Sequence, residues 1–124
     1  TKAGNIANVY AGLAYYNKGE YENAKNYLSK FSANDVLLSP AVTAAIGNAL
    51  VNMDNAAEAV KYFEKAAKVA DNAVFSPIYL IKAANVYEKL GNKAAALKVY
   101  EQIKNEYPTS QQASTIDSYI ERVK

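Results

Sequence analysis

Apolar side chains recur along most of the chain at the spacing i, i+3, i+4 and i+7, which places them on one face of an α-helix, and no segment favours a strand. The periodicity breaks at Gly19, Asp54 and Gly91, and another helical pattern follows each break within one or two residues. The pattern predicts seven helices, at about residues 3–18, 20–31, 40–53, 55–70, 77–90, 93–106 and 110–123. Because the connections are short, consecutive helices are expected to be antiparallel neighbours.

Two Ser-Pro pairs, at 39–40 and 76–77, mark the start of the third and fifth predicted helices. We expect both serines to be N-caps, because a serine hydroxyl accepts a hydrogen bond from a free backbone N–H group of the first turn. Both prolines suit the first helical position, where a missing N–H group costs nothing. The longest break in the pattern, before the first of these pairs, contains Asn-Asp at 34–35 and predicts a turn.

The helices repeat in pairs. Gly12, Gly47 and Ala84 occupy equivalent positions in the first helix of each pair, 35 and then 37 residues apart. A bulky residue follows each of them three positions later: Tyr15, Leu50 and Tyr87. In the second helices an alanine is followed four positions later by a bulky residue: Ala24 by Leu28, Ala59 by Phe63, and Ala96 by Tyr100. Small residues let paired helices approach closely while bulky ones fill the remaining space, so three stacked hairpins are expected to share a continuous core.

This register is similar to that of the tetratricopeptide repeat family, whose unit of about 34 residues carries small-x-x-Tyr in its first helix and Ala-x-x-x-Phe in its second. The resemblance implies an all-α fold, a right-handed α–α superhelix (solenoid) of three helical hairpins with a C-terminal capping helix. The implied organisation is a single domain over 1–124, with repeats at about 5–38, 40–74 and 77–108 and the capping helix over 109–124.

The chain departs from the family pattern in two respects. The bulky aromatic residue that the family places early in the first helix is replaced by Asn8, Thr43 and Leu80. Of the three repeats, only the third ends in the family's proline, at Pro108. These departures indicate a divergent subfamily and leave the fold expectation in place, since that expectation rests on the small-residue register and the short loops.

The connectors at 31–40 and 69–77 and the closing segment 106–124 are also similar to membrane-anchored bacterial envelope proteins that carry such repeats. Some relatives in that group assist the Sec translocon or outer-membrane assembly. The likeness implies a membrane helix upstream of Thr1 and a domain in the periplasm. If this likeness is set aside, the alternative location is the cytoplasm. The start at threonine rather than methionine suggests a processed or trimmed product.

Composition argues against several classes of function. Histidine and cysteine are absent, so the usual neutral-pH base, a thiol nucleophile, disulfides and the common zinc ligands are missing. No glycine-rich phosphate loop or calcium-loop spacing occurs, and a net charge of +2 without a basic stripe does not indicate nucleic-acid binding. We interpret the nearby Glu20 and Glu22 as carboxylates at the positive end of a helix dipole. The expected protein is not an enzyme and has no cofactor or metal.

Binding is the function that stacked hairpins support, because their first helices line a concave surface. The groove residues carried over by register are Tyr16, Asn17, Asn48, Asn52, Lys82, Asn85 and Lys89. Their asparagines offer a donor and an acceptor to a peptide backbone, while Tyr16 and the lysines would add an aromatic platform and positive charge for an acidic segment. The alternative interpretation is that these asparagines are tolerated on an exposed helix face or satisfy a carbonyl between repeats.

A well-known subclass of the family clamps a C-terminal carboxylate through lysine and asparagine side chains, and of the matching positions in this chain only Lys82 agrees. No carboxylate clamp is therefore expected. The leading hypothesis is a protein–protein interaction module of a bacterial cell-envelope complex, with a protein or peptide partner. The alternative is a structural spacer or homo-oligomerisation domain of a longer anchored protein, which would self-associate through Ile6, Val9 and Tyr10 or through the last helix.

Overall fold

A computed structural model describes residues 1–32, 35 and 38–124. Within these residues the chain forms seven α-helices and one short 3-10 helix, and no strand. The α-helices are α1 (Lys2–Asn17), α2 (Tyr21–Ser29), α3 (Leu38–Asn52), α4 (Ala56–Ala70), α5 (Ser76–Lys89), α6 (Lys93–Glu106) and α7 (Ile116–Val123). Each helix packs chiefly on its neighbours in sequence, from α1 with α2 through to α6 with α7. The predicted all-α fold is confirmed.

The turn within each hairpin uses one residue with a left-handed backbone. Gly19, Asp54 and Gly91 have φ angles of +79°, +62° and +76° and follow α1, α3 and α5, where the sequence pattern breaks. Glycine adopts this conformation without steric cost, and aspartate is among the few other residues that tolerate it. The turns predicted at these three positions are therefore present, and they reverse the chain within each hairpin.

The prediction that Ser39 is the N-cap of its helix is wrong. Helix α3 begins one residue earlier, at Leu38, and the Asp35 carboxylate accepts a hydrogen bond from the Leu38 N–H group at 2.7 Å. The Asp35 carbonyl also accepts from the Ser39 N–H group, at 3.0 Å. Aspartate is as good a capping residue as serine, and in this helix the Asp35 side chain takes the capping role. The turn predicted at 34–35 includes Asn34, which lies outside the described residues.

The prediction that Ser76 is an N-cap is also wrong. Ser76 is the first residue of α5, and it is fully buried. Its hydroxyl donates to the Ala67 carbonyl at 2.7 Å and accepts from the Asn72 N–H group at 3.0 Å. Both partners lie upstream, in the last turn of α4 and in the connector after it. The serine therefore fastens the second hairpin to the third, because a buried hydroxyl needs hydrogen-bond partners and finds them there.

The seventh helix begins later than the sequence pattern predicts. A 3-10 helix at Gln112–Thr115 precedes α7, which starts at Ile116 rather than near 110. The Ser110 hydroxyl donates to the Tyr107 carbonyl at 2.7 Å and accepts from the Ala113 N–H group at 3.1 Å. Such local side-chain bonds to the backbone compete with α-helix formation. The apolar side of α7 is still buried against the rest of the core, as the spacing of its apolar residues predicts.

Close helix pairing explains the register of small and bulky residues. A Cβ atom on Gly12 would lie 2.6 Å from Cγ of Leu28, and one on Gly47 would lie 2.8 Å from Cε1 of Phe63. Both distances are shorter than any ordinary contact, so the first two hairpins require glycine at these positions. The alanines of the second helices, Ala24, Ala59 and Ala96, are completely buried. The core thus extends without interruption from α1 through α6 to the apolar side of α7.

No helix in the described part of the chain combines the length and apolar character needed to cross a bilayer.

Candidate functional site

Three cavities follow one another along the face shared by α1, α3 and α5. The first has a volume of about 90 Å³ and is lined by Val9, Leu13, Leu28, Leu38, Ala41, Val42 and Ala45. The second, of about 70 Å³, is lined by Leu13, Tyr16, Leu28, Ala45 and Asn48. The third, of about 180 Å³, is lined by Asn48, Val51, Asn52, Phe63, Lys82, Asn85 and Val86. We call the surface formed by these residues the groove. Adjacent cavities share lining residues, and the lining of the groove changes from apolar at α1 to more polar at α5.

Five of the seven residues predicted from the sequence lie together in the groove: Tyr16, Asn48, Asn52, Lys82 and Asn85. The other two, Asn17 and Lys89, are exposed near the ends of α1 and α5 and line none of the three cavities. Assignment by repeat register therefore brings most of the set to one surface. Asn17 and Lys89 are the last residues of α1 and α5, and the cavities end before them, whereas Asn52, the last residue of α3, lines the third cavity.

Asn52 connects two repeats. Its amide nitrogen donates to the Tyr16 hydroxyl at 3.0 Å and to the Asn48 carbonyl at 2.9 Å. An asparagine side chain has two N–H hydrogens, so both are engaged within the chain and only the amide oxygen remains for a ligand. The bond to Tyr16 joins α1 to α3 across 36 residues of sequence and fixes the position of the tyrosine at the edge of the groove.

Asn48 differs from Asn52 in having a free side chain. It is half-buried, lines both of the cavities that meet at its position, and its amide makes no hydrogen bond to any described residue. Both of its N–H hydrogens and its carbonyl oxygen are thus available to a ligand. Of the groove asparagines, it best matches the role predicted for all of them.

A hydrogen-bonded network stands behind the α5 side of the groove. The Tyr100 hydroxyl donates to the Glu88 carboxylate at 2.5 Å and lies 3.2 Å from the amide oxygen of Asn85. Arg122 on α7 contacts Glu88 through two nitrogens, at 3.0 and 2.6 Å. Burial, followed by the contact with Glu88, raises the pKa of the Tyr100 phenol well above its ordinary value. The phenol therefore stays neutral. Asn85 lies beside this network, and its NH₂ group makes no hydrogen bond to a described residue.

Lys82 is the cation of the groove. It is exposed, and its ammonium lies 5.8 Å from the centre of the Phe63 ring. Among the described residues, no carboxylate lies within ion-pairing distance of it. The ammonium lies over the ring, and the side chain remains exposed to solvent. A ligand carboxylate would therefore meet an unpaired charge.

The sequence interpretation did not connect Phe63 or Arg122 with the groove. Phe63 was assigned to the core, and it is only 2% exposed, yet its ring lines the cavity beneath Lys82. Arg122 lies on α7, and nothing in the sequence around it indicates its partner Glu88. Repeat register could not reveal either role, because each depends on how one element is placed against the next.

The Glu88–Arg122 pair yields a prediction on pH. The hydrogen bonds from Arg122 hold the pKa of the Glu88 carboxyl below its usual range. A lowered folded-state pKa gives stability that is present above the unfolded pKa of about 4.3 and lost as the pH falls through the folded value. We expect Glu88→Gln to cost about 1 kcal/mol at pH 7, since the pair is partly exposed, and almost nothing at the acidic end of the titration.

The measurement is urea-induced unfolding of both proteins between pH 7 and pH 3. Glu121→Gln is the matched control, because Glu121 forms an exposed ion pair with Lys124 at the C-terminal end of α7, the helix that carries Arg122. Its cost is expected to be near zero at every pH. A cost for Glu88→Gln that is the same at pH 7 and pH 3 would contradict the role assigned to the charge of Glu88.

The described residues include no group of three or more histidine, cysteine, aspartate or glutamate side chains that could hold a metal ion.

Comparison with known proteins identifies the repeats. A family model described as a tetratricopeptide repeat matches residues 7–35 and 79–110. A second model with the same description matches residues 44–72. The three segments fall on the hairpins α1–α2, α3–α4 and α5–α6 and together cover well over half of the chain. Comparison with curated proteins finds no match.

Proposed function

The chain belongs to the tetratricopeptide repeat family, and we propose that it is a non-catalytic interaction module that holds an extended peptide or protein segment in the groove. Repeats of this family are generally protein–protein interaction modules. The proposal assigns the whole chain, 1–124, to one domain. It places the repeats at about 5–38, 40–74 and 77–108, closed by the helix over 109–124.

The observation that carries the proposal is the position of Asn48. Its free amide lies where two cavities meet, in the middle of the groove. An extended peptide presents a backbone donor and a backbone acceptor at every residue, so one asparagine side chain can bind it without reading its side chains. Backbone recognition of this kind gives affinity, and the neighbouring cavities give specificity.

The groove is also largely preorganised before a ligand binds. The bond from Asn52 to Tyr16 fixes α1 against α3, and the Tyr100 network fixes the region behind Asn85. A site whose side chains are already held loses less conformational entropy when a ligand binds. This favours binding of a flexible segment, because the segment alone then carries most of the ordering cost.

We propose further that the partner belongs to a bacterial cell-envelope complex. This part rests on the similarity of the connectors and the closing segment to membrane-anchored envelope proteins with such repeats. It determines which extract the first binding experiment uses.

The experiment is an affinity pull-down from a cell-envelope extract with three baits that match in circular dichroism. These are the native domain, an Asn48→Asp/Lys82→Glu variant, and an Asn26→Asp/Lys98→Glu control. The control makes the same charge changes at exposed positions of α2 and α6, outside the groove. A partner retained by the native bait and the control, and reduced at least tenfold by the groove variant, supports the proposal; tenfold corresponds to about 1.4 kcal/mol.

One observation favours the alternative, a structural or self-association domain. Tyr10 on α1 is 70% exposed, the highest value among the large hydrophobic side chains that are described. Exposed tyrosines are common at protein interfaces. Of the other residues predicted for that edge, Val9 is buried and Ile6 half-buried. If all three baits retain the same partners, or none while the domain elutes as a dimer, the groove proposal fails and self-association replaces it.

A further inference from the structure

We infer that the segment bound in the groove carries an acidic side chain two to four residues away from an aliphatic one. This inference rests on the proposed function and names the chemistry of its ligand. It follows from the charge of the helices that form the groove, from the geometry around Lys82, and from the change in lining along the groove.

The helices that form the groove carry almost none of the chain's negative charge. Of the twelve acidic residues, only Glu88 lies in α1, α3 or α5, and α3 has no charged residue. Glu88 is already neutralised by two hydrogen bonds from Arg122. Of the three lysines on these helices, Lys2, Lys82 and Lys89, only Lys82 lines a groove cavity. A basic segment would find no unpaired carboxylate on these three helices.

The surroundings of Lys82 suit one carboxylate. The ammonium has no ion-pair partner among the described residues, and it lines the same cavity as Asn48 and Asn85. Asn85 lies beside the Tyr100 hydroxyl, at 3.2 Å from its amide oxygen, and its NH₂ group makes no hydrogen bond to a described residue. An ammonium and an amide NH₂ group together supply two donors for the two oxygens of an aspartate or glutamate side chain. Charge-assisted hydrogen bonds of this kind are about twice as strong as neutral ones.

The opposite end of the groove suits an aliphatic side chain. The cavity of about 90 Å³ between α1 and α3 is lined by apolar residues alone. Leu13, at its rim, is 42% exposed. Burial of an aliphatic side chain against such a surface contributes on the order of 1.5–3 kcal/mol before the costs of binding are subtracted.

The separation of the two subsites sets the spacing in the ligand. The apolar cavity lies between α1 and α3, and the cavity of Lys82 lies between α3 and α5, so they are one helix apart. Packed helices are about 8–10 Å apart, and an extended chain advances about 3.3 Å per residue. The aliphatic and acidic residues are thus expected two to four positions apart in the bound segment.

The test uses a random octapeptide library displayed on phage, panned against the native domain, Lys82→Glu and Lys98→Glu. Lys98→Glu is the matched control, since it makes the same charge change at an exposed position of α6 and lines none of the three cavities. The native domain and the control are expected to enrich peptides with aspartate or glutamate two to four positions from leucine, isoleucine or valine. Lys82→Glu is expected to lose the acidic preference and to gain lysine or arginine.

A second measurement separates a side-chain carboxylate from a chain terminus. The best enriched peptide is synthesised with both ends blocked, together with versions in which asparagine replaces the acidic residue and serine replaces the aliphatic one. Fluorescence anisotropy is expected to show at least fivefold weaker binding for each replacement. The Lys82→Glu variant is expected to bind the asparagine peptide at least as tightly as the acidic peptide. Equal binding of the acidic and asparagine peptides to the native domain would overturn the inference.

The outcomes also distinguish this inference from the proposed function. Enriched peptides that need Asn48 but show no acidic preference would leave the groove proposal standing and overturn the acidic ligand. Peptides that bind only through a free C-terminal carboxylate would overturn it as well. Enrichment that is the same for Asn48→Asp, Lys82→Glu and the native domain would show that binding lies outside the groove, and both would fail.

Discussion

Replacement of Phe63 by alanine is expected to lower the free energy of unfolding by about 3–5 kcal/mol. Phe63 is 2% exposed and packs against Gly47, where no other residue fits beside its ring. The pair closes the second hairpin, which lies in the middle of the chain and contacts both neighbouring hairpins. Truncation would therefore leave a cavity that glycine cannot fill. The remaining stability of a typical domain, on the order of 5–15 kcal/mol in total, should still allow the variant to fold.

The measurement is thermal and urea-induced unfolding, with Tyr62→Ala as the control. Tyr62 is the preceding residue on α4 and is only half-buried, so its truncation should cost less than half as much. The melting temperature of Phe63→Ala is expected to fall by about 10–20 °C. Because the ring also lines the cavity under Lys82, the same variant should bind the groove ligand more weakly. Equal losses of stability in the two variants would contradict the assignment of Phe63 as the central packing residue of the hairpin.

Replacement of Gly12 by alanine is expected to have opposite effects in two backgrounds. In the native chain the new Cβ would lie 2.6 Å from Cγ of Leu28 and 3.2 Å from the Ala24 carbonyl oxygen. Overpacking of this kind costs about 1–3 kcal/mol, more than the gain of up to about 1 kcal/mol in helix propensity. With Leu28→Ala as background the closest atoms are gone. The contact with the Ala24 carbonyl oxygen remains and offsets part of the gain in helix propensity, so the same substitution should then stabilise the domain by less than about 1 kcal/mol.

The four proteins form a double-mutant cycle that is measured by chemical denaturation. Leu28 is 1% exposed, so its truncation alone should cost about 2–5 kcal/mol and set the scale of the cycle. The interaction energy isolates the contact between the two positions from the helix propensity of alanine, which is common to both backgrounds. If Gly12→Ala destabilises both backgrounds equally, close approach to Leu28 is not the reason for the glycine.

Much of the fold could be predicted because it depends on local properties. The hairpin turns follow from Gly19, Asp54 and Gly91, whose left-handed backbones end the helices regardless of what packs on them. The pairing of small with bulky residues follows from spacing, and the contacts at Gly12 and Gly47 agree with it. The helix caps were predicted less well. Ser76 satisfies all the usual signals of an N-cap, yet its hydroxyl is used by the preceding helix and connector.

The candidate site was predictable in its location but not in its chemistry. Register brought Asn48, Asn52 and Asn85 to one surface, since equivalent positions of stacked repeats face the same way. It placed Asn48 and Asn85 at one repeat position and Asn52 at another, and it predicted the same role for all three. Within the described chain, the Asn48 amide makes no hydrogen bond, both amide hydrogens of Asn52 are used, and Asn85 lies beside the Tyr100 hydroxyl. These differences come from partners in other helices, which no local pattern records.

The sequence by itself determined the number of helices, their order, the hairpin turns and the family, because helix propensity and repeat spacing are properties of neighbouring residues. Only the tertiary structure decided which groups remain available to a ligand. Tyr16 accepts a hydrogen bond from Asn52, 36 residues away, and Arg122 neutralises Glu88 from 34 residues away, while Lys82 has no ion-pair partner within the described chain. The physical reason is that hydrogen bonds and ion pairs between repeats depend on how whole helices are placed against one another, to within an ångström.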